Sequence, residues 1–350
     1  MRVLQAMAGA KHGGAEAFFM RLVPAIHRAG VEQLVMIRRN AERAAALREA
    51  GIEPVEVPFG GALDMVTPLA FRREIKGFKP DVVLTWMNRA TKFCPAGDFV
   101  HVSRLGGYYD LKYHQACDHL VGNTPDIRDY LIGEGWPAEK AHYLPNFVDQ
   151  ASAEPFDRKE LYTPYNARVI FAMGRLHENK AFDVLLDAMA RMPDVYLWIA
   201  GDGPLREELD TQAESTGVKP RIRFLGWRED TAALLAACDI FVCPSRHEPL
   251  GNVVLEAWAA RKPVVAADSA GPGMLIDHMK SGVLIPVDDS ESLANAILAV
   301  FEDDDLRGQI AHGGRAAFEA NYTEPIVVGK YIKLFERLMA EKSHNSKDPG

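Results

Sequence analysis

The sequence predicts an α/β protein built from two doubly wound, parallel-sheet domains in tandem. Three observations predict it. Apolar runs of strand length alternate with helical patterns along most of the chain; the alternation fails once, between Pro145 and Pro164, and then restarts; and glycines gather where strands hand over to helices. At 350 residues the chain is long enough for two full cores, with a first domain expected over 1–150 and a second from 151.

Val3 to Ala8 reads as the first strand. It is followed by Gly9-Ala-Lys-His-Gly13-Gly14-Ala15-Glu16 and a helix carrying Phe18, Leu22 and Ile26. Strand, glycine loop and helix in that order let a backbone approach a ligand closely. Further strands are expected at Gln33–Ile37, Asp81–Thr85, Phe99–Ser103 and His119–Gly122. Between them, Pro68 to Lys79 puts Phe71, Ile75 and Phe78 on one helix face and Arg72, Arg73, Lys76 and Lys79 around the others. Such a helix either covers a sheet with its charged face in water or meets anionic lipid or a phosphorylated glycan. After the lapse, Arg168–Met173, Val195–Ala200, Ile222–Leu225, Asp239–Cys243, Val264–Ala267 and Val283–Val287 read as strands. Two doubly wound sheets bind ligands at their carboxyl edges, which in tandem predicts a cleft between them.

Bulk properties narrow the class. Charged residues at 25% and hydrophobic ones at 48% describe an ordinary globular chain. Residues 1–150 hold 18 Lys+Arg against 17 Asp+Glu, so of the net −8 the remainder carries 22 against 31, or −9. The first half is therefore the better candidate to meet an anionic surface, and nucleic acid is not an expected partner. Cys94, Cys117, Cys238 and Cys243 lack metal-ligand spacing and read as reduced thiols of a cytoplasmic protein. No apolar run is long enough to span a bilayer, and the amino terminus has no secretory pattern.

The chemistry centres on Ser245 to Ala266. Pro244 to Gly251 is turn material after the strand ending at Cys243, and it leads into a helix whose Val253, Val254, Leu255, Ala257, Trp258 and Ala259 are apolar nearly all round. Glu256 sits among them and needs a partner: a ligand hydroxyl, an amide or a base. Glu248 and Glu256 bracket the helix amino terminus, whose open N–H groups favour an anion, and are about 10 Å apart along it. That span suits a ribose, a diphosphate and a hexose end to end. Gly174-Arg175 follows another strand, with Lys180 just before a helix, where a bound anion would relieve its conflict with the helix dipole. Gly201-Asp202 and Leu225-Gly226-Trp227 fall at two more strand ends, the latter with peptide groups placed to read a nucleobase edge. Asp303-Asp304-Asp305 reads as helix capping rather than a metal site. Each feature alone also fits ordinary turn and surface chemistry.

Together, Gly174-Arg175 with Lys180, Ala200-Gly201-Asp202-Gly203-Pro204-Leu205, Phe224-Leu225-Gly226 and Glu248 through Glu256 resemble the retaining nucleotide-sugar glycosyltransferases of family four, which have the GT-B fold. The match runs from about residue 168 to 288. It is thinner in the first half, where Gly13-Gly14-Ala15-Glu16 resembles the family's first loop and Pro145-Asn146-Phe147-Val148-Asp149 its boundary motif, with Phe147 where glycine is usual. The resemblance implies an acceptor domain at 1–150, a donor domain at 151–323, a helix at 324–341 crossing back to the first domain, and a tail at 342–350.

It further implies roles. Arg175 and Lys180 would neutralise the departing diphosphate, Glu248 would hold donor-sugar hydroxyls and Glu256 the ribose. Gly14, Gly174, Gly201, Asp202, Leu225, Gly226, Trp227, Pro249, Leu250, Gly251 and Asn252 would line the donor, and Gly13 and Glu16 the acceptor. Fixed cations and a helix terminus would replace a metal, so no cofactor is expected. Two departures stand out: Ala181 replaces the glycine usual after the lysine, and the family's catalytic-site histidine corresponds either to a displaced His101 or to Arg104. Strand alternation would put those two on opposite faces. The expected reaction moves a sugar from a nucleotide-diphosphate donor, a UDP-sugar being favoured, to a glycan or glycolipid acceptor such as lipopolysaccharide core, at the cytoplasmic face of the inner membrane. The alternatives are an epimerase or hydrolase of the same shape, acting on donor alone, and a non-catalytic nucleotide-sugar-binding subunit.

Overall fold

The computed structural model describes residues 1–10, 13–61, 63–149 and 153–345. The chain divides into two compact units. The first comprises Met1–Asn146 together with the chain from Glu324 onward, and the second is Phe147–Thr323.

In the first unit, strands β1 (Arg2–Met7), β2 (Glu32–Arg38), β3 (Val55–Val57), β4 (Val82–Trp86), β5 (Val100–Leu105), β6 (His119–Gly122) and β7 (Ala141–Tyr143) form a 7-stranded sheet in the order β3-β2-β1-β4-β5-β6-β7. Every pairing is parallel. Helices α1 (Gly14–Arg28), α2 (Ala41–Glu49), α3 (Val66–Phe78), α4 (Met87–Phe93) and α5 (Pro125–Gly133) provide the crossovers. The expected strands are present. β3 and β7 lie at opposite edges, are three residues long, and carry no apolar run that marks them.

In the second unit, β8 (Arg168–Met173), β9 (Val195–Ala200), β10 (Ile222–Gly226), β11 (Ile240–Cys243), β12 (Val264–Ala267) and β13 (Val283–Ile285) form a 6-stranded parallel sheet in the order β10-β9-β8-β11-β12-β13. Its helices are α6 (Phe182–Met189), α7 (Arg206–Ser215), α8 (Thr231–Ala237), α9 (Asn252–Ala259), α10 (Ala270–Leu275), α11 (Ser290–Glu302) and α12 (Asp304–Asn321). Strands such as β8 and β9 are apolar and buried along almost their whole length because α11 and α6 cover one face and α9 and α12 the other. Asp303 caps α12 through the amide of Leu306, and Asp304 pairs with Arg307 at 2.6 Å, so the acidic triplet is capping and surface charge.

Both sheets reverse strand order once, at β1/β4 in the first unit and at β8/β11 in the second. At such a switch point the flanking loops diverge to opposite faces and open a crevice outside the strand ends, the usual ligand position in doubly wound sheets.

The last helix, α13 (Glu324–Asn345), belongs to the first unit. Val327, Tyr331, Phe335 and Leu338 are buried, Glu324 pairs with Arg28 of α1 at 2.7 Å, and Lys342 donates to the Phe99 carbonyl at 2.8 Å. The tail expected from Lys342 is thus still helix through Asn345, its lysine bonded; residues 346–350 lie outside the described residues.

Candidate functional site

In the second unit two of the predicted residues, Lys180 beyond β8 and Glu248 beyond β11, meet at the switch point. Beyond β8 the chain passes through Gly174 and Arg175 into a short 3-10 turn, Glu178–Lys180. Beyond β11, Pro244 to Gly251 delivers Glu248 to the same place, and the Lys180 ammonium donates to Oε2 of Glu248. These side chains are only 22% and 11% exposed, so the pair is partly withdrawn from water. The loops are also joined along their backbones. The amide of His247 donates to the Asn179 carbonyl at 3.1 Å. Arg246 donates to the Glu178 carbonyl and to Asp183 of α6, each at 2.9 Å, and also pairs with Asp288. Two carboxylates, Asp183 first and then Asp288, hold the Arg246 guanidinium firmly charged, so it acts as a permanent clamp on the lysine turn.

Glycines interlock the neighbouring strand ends. The Gly174 amide donates to the Ala200 carbonyl at 2.9 Å and the Gly201 amide to the Gly226 carbonyl at 2.7 Å. Gly201 has φ 143°, and a Cβ there would lie 1.9 Å from the Gly174 carbonyl oxygen, so no other residue fits without moving the loop. Asp202 accepts from the Gly203 amide, and its own carbonyl accepts from Leu176. Leu225 is the bulged residue where β10 shifts register against β9, and Trp227 beyond it is exposed. The lysine stem lies over Gly174, 3.3 Å from where a Cβ would sit.

Helix α9 opens on Gly251, which supplies no side chain to cap it. Pro249, Leu250 and Asn252 are half-buried around that end, and Glu256 is half-buried one turn on. Below, the Glu248 carbonyl accepts from Gly271 of α10 at 2.7 Å, fixing the turn. Arg175 stands exposed on the same loop as Lys180 and makes no ion pair with a described residue. Ala181, in place of the usual glycine, is buried with φ 51° and ψ 38°, so the lysine turn carries a left-handed alanine. Cys243, behind Glu248, is buried and its thiol is pushed up to about 11, first by burial and then by the glutamate, which removes it as a nucleophile.

In the first unit, the loop after β1 is organised by Glu16. Its Oε1 accepts from the Ala10 amide at 2.6 Å, and a Cβ on Gly13 would lie 2.3 Å from Oε2. The carboxylate therefore ties Ala10, just beyond β1, to the first turn of α1. Gly14, the first residue of α1, has open space where a Cβ would be. Arg43 of α2 reinforces the tie through the Ala10 carbonyl at 2.8 Å.

The structure also separates the two candidates for the histidine position. β5 runs through Leu105, so His101 and Arg104 occupy opposite faces. Arg104 is fully buried between the Phe18 and Trp86 rings, each 4.6 Å from its guanidinium carbon. It donates to the Tyr331 hydroxyl at 2.9 Å and to Asn146. These contacts make it the junction of α1, β4, α13 and the chain leaving the unit. His101 is buried in a chain of polar groups on the other face, 3.0 Å from the Thr85 hydroxyl, with Thr91 and Ser103 next in line. Burial lowers its pKa.

The same chain ends on a residue the sequence did not single out. His114 donates through Nε2 to Oδ1 of Asn88 at 2.8 Å, which leaves Nδ1 to accept from Ser103 at 3.1 Å. Burial, then His101, push it down to about 4. Asn88 sits directly beyond β4, at the first unit's switch point, beside a pocket of about 340 Å³ lined by Gly60, Gly61, Arg89, Lys92, Phe93 and Tyr113. Nothing local in the sequence marks His114, because its partners come from β5 and α4.

Among the described residues no group of three or more His, Cys, Asp or Glu side chains is placed to hold a metal, and all four cysteines are buried and free.

Comparison with known proteins matches the chain to two family models. Residues 167–303 match the model described as Glycosyl transferases group 1, and residues 12–152 match Glycosyltransferase Family 4. The lipopolysaccharide core biosynthesis glycosyltransferase LpsE of Rhizobium meliloti (strain 1021) is 38% identical over 334 residues, covering 93% of this chain and 96% of that protein. LpsD of the same organism is 34% identical over 350 residues, covering 98% and 100%. In fold, the chain is similar to the crystal structure of Anabaena HepE in complex with UDP, with a TM-score of 0.83 at 22% identity, covering 96% and 100%. It is also similar to WaaG, a glycosyltransferase involved in lipopolysaccharide biosynthesis, with a TM-score of 0.68 at 17% identity, covering 93% and 97%.

Proposed function

The chain belongs to the group 1 glycosyl transferases and is a glycosyltransferase of GT-B fold, and from that premise we propose that it moves a sugar from a UDP-sugar to a glycolipid of the lipopolysaccharide core, with retention at the anomeric carbon, at the cytoplasmic face of the membrane. The observation that carries this reading is the Lys180–Glu248 pair at the β8/β11 switch point, where a cation meets a carboxylate carried on the turn that leads into α9. The names of LpsE and LpsD support the acceptor class, and the UDP held by HepE supports the base.

In the proposed reaction the diphosphate lies against Lys180, Arg175 and the amides around Leu250, Gly251 and Asn252. Glu256 accepts from the ribose hydroxyls, and Glu248 from hydroxyls of the donor sugar. The bond between the anomeric carbon and the β-phosphate oxygen breaks, and the charge that develops on the diphosphate is met by groups already in place. The acceptor oxygen bonds to the anomeric carbon on the same face, and its proton passes to the departing phosphate oxygen. Fixed cations do the work assigned elsewhere to a divalent ion, so transfer is expected to persist in excess chelator.

The test combines binding and turnover. A thermal-shift panel of nucleotides and nucleotide sugars is expected to show stabilisation by UDP compounds above all. Transfer from the UDP-sugar so identified to lipopolysaccharide core extracts should then leave free UDP. Absence of any nucleotide shift, or rapid donor breakdown with no glycan product, rejects the proposal.

A further inference from the structure

Outside the candidate site, one face of the first unit breaks the ordinary rule of burial. Leu63, Met65, Val66 and Leu69 are 95%, 75%, 55% and 61% exposed, within a stretch of seven residues. Isolated exposed apolar residues need no explanation, but four neighbours of this size form a patch. The helix they open, α3, is anchored from beneath. Thr67 and Phe71 are buried, Phe71 packs edge-on to Phe59 with ring centroids 6.0 Å apart, and Asp64 accepts from the amides of Gly60, Val66 and Thr67. Val66 and Leu69 therefore project from the anchored first turn of α3, and Leu63 and Met65 from the residues that lead into it.

The opposite end of the same outward stripe is basic. At helical spacing Met65, Leu69, Arg72, Arg73 and Lys76 share one face, and all are exposed. Arg73 pairs with Glu74 at 2.6 Å, while Arg72 and Lys76 make no ion pair with a described residue. Charge and apolar surface are separated along the helix axis rather than around it. Gly60 and Gly61, which lead into the stripe, line the pocket that also holds Arg89 and Lys92, and no carboxylate is among its lining residues. An apolar end beside a cluster of cations in which Arg72 and Lys76 have no acidic partner among the described residues is complementary to a surface that is apolar inside and negative outside.

We propose that this face of the first unit docks on an anionic lipid bilayer. Leu63, Met65, Val66 and Leu69 enter the acyl boundary, while Arg72, Arg73 and Lys76, with Arg89 and Lys92 beside them, meet headgroup phosphates. The reading deepens the proposed function and rests on it in one respect: a glycolipid acceptor is presented at such a surface.

The test is co-sedimentation of the full chain with vesicles of phosphatidylglycerol and phosphatidylcholine, against vesicles of phosphatidylcholine alone. The chain is expected on the anionic vesicles, and raising salt from about 0.05 M to about 0.5 M should weaken it. The double variant Arg72→Gln/Lys76→Gln should bind roughly 25-fold more weakly, about fivefold for each cation lost. Met65→Ser/Leu69→Ser should lose about tenfold or more while keeping its melting temperature, since both side chains are exposed. Absence of anionic-vesicle binding, or binding that neither double variant reduces, overturns the proposal. So does a concentration-dependent dimer abolished by these variants in the absence of vesicles, which would assign the patch to a second copy. The UDP-induced thermal shift, which reports the second unit, separates this claim from the functional one. Vesicle binding without a UDP shift upholds docking and rejects the UDP-sugar reading, and a UDP shift without vesicle binding does the reverse.

Discussion

Lys180 and Glu248 make opposite predictions for nucleotide binding when removed one at a time. Two touching opposite charges attract by roughly 4 kcal/mol at an effective dielectric near 20. Much of that is returned as desolvation, and because the side chains remain 22% and 11% exposed the net worth of the pair is about 1 kcal/mol. An incoming diphosphate must draw Lys180 away from Glu248 or share it. Glu248→Gln removes that competition, so UDP should bind roughly fivefold more tightly to this variant even as sugar transfer fails. Lys180→Met removes a charge-assisted hydrogen bond of about 1.5–3 kcal/mol, so UDP should bind roughly 10–100-fold more weakly. Lys180→Met also strands a mostly buried carboxylate and should be the less stable protein. The double variant should regain stability without regaining UDP affinity. Isothermal titration with UDP, paired with thermal melts, measures all four corners of the cycle. If Glu248→Gln weakens UDP as much as Lys180→Met does, or if Lys180→Met binds like the parent, Lys180 does not hold the diphosphate and the reasoning fails.

Three further outcomes are expected. Gly201→Ala places a Cβ 1.9 Å from the Gly174 carbonyl oxygen at φ 143°, and should cost about 3 kcal/mol or more in urea unfolding and abolish the UDP shift. Arg104→Lys loses the planar fork between Tyr331, Asn146 and two aromatic rings, and should destabilise the first unit by about 2–4 kcal/mol in urea titration while leaving the UDP shift of the second in place. His114 is fully buried with a pKa pushed from 6.5 down to about 4, so between these values only the unfolded chain takes up its proton. Its contribution is complete above pH 6.5 and is lost as pH falls toward 4, by about 3 kcal/mol in all; urea midpoints across that range should fall less steeply for His114→Gln.

What could be read in the sequence was the part of the structure encoded by local pattern. The long strands announced themselves as apolar runs, and Lys180 and Glu248 could each be placed beyond the end of a parallel strand, where doubly wound sheets bring loops together, though not that the two side chains pair. Edge strands β3 and β7 escaped notice because three residues carry no periodicity. The choice between His101 and Arg104 could not be made locally either. The partners that take up Arg104, Asn146 and Tyr331, lie 42 and 227 positions away, and the chain His101–Thr85–Thr91–Ser103–His114 is assembled from two strands, a helix and a loop. Ala181 looked like a small change from glycine until its left-handed backbone was known. The basic face of α3 was visible at the outset; that its first turn and the residues just before it bare four apolar side chains was not, since exposure depends on what the rest of the unit leaves uncovered.

The membership of α13 in the first unit bears on how the protein is made. During synthesis the first 146 residues leave the ribosome lacking the surface that Val327, Tyr331, Phe335 and Leu338 will later cover, and Arg104 waits without its phenol. The whole second unit is translated before that gap can close. A ribosome that stops near Thr323 would release a finished second unit tethered to an incomplete, adhesive partner, so expression of residues 1–146 alone should give aggregates that the α13 peptide, added in trans, helps to dissolve.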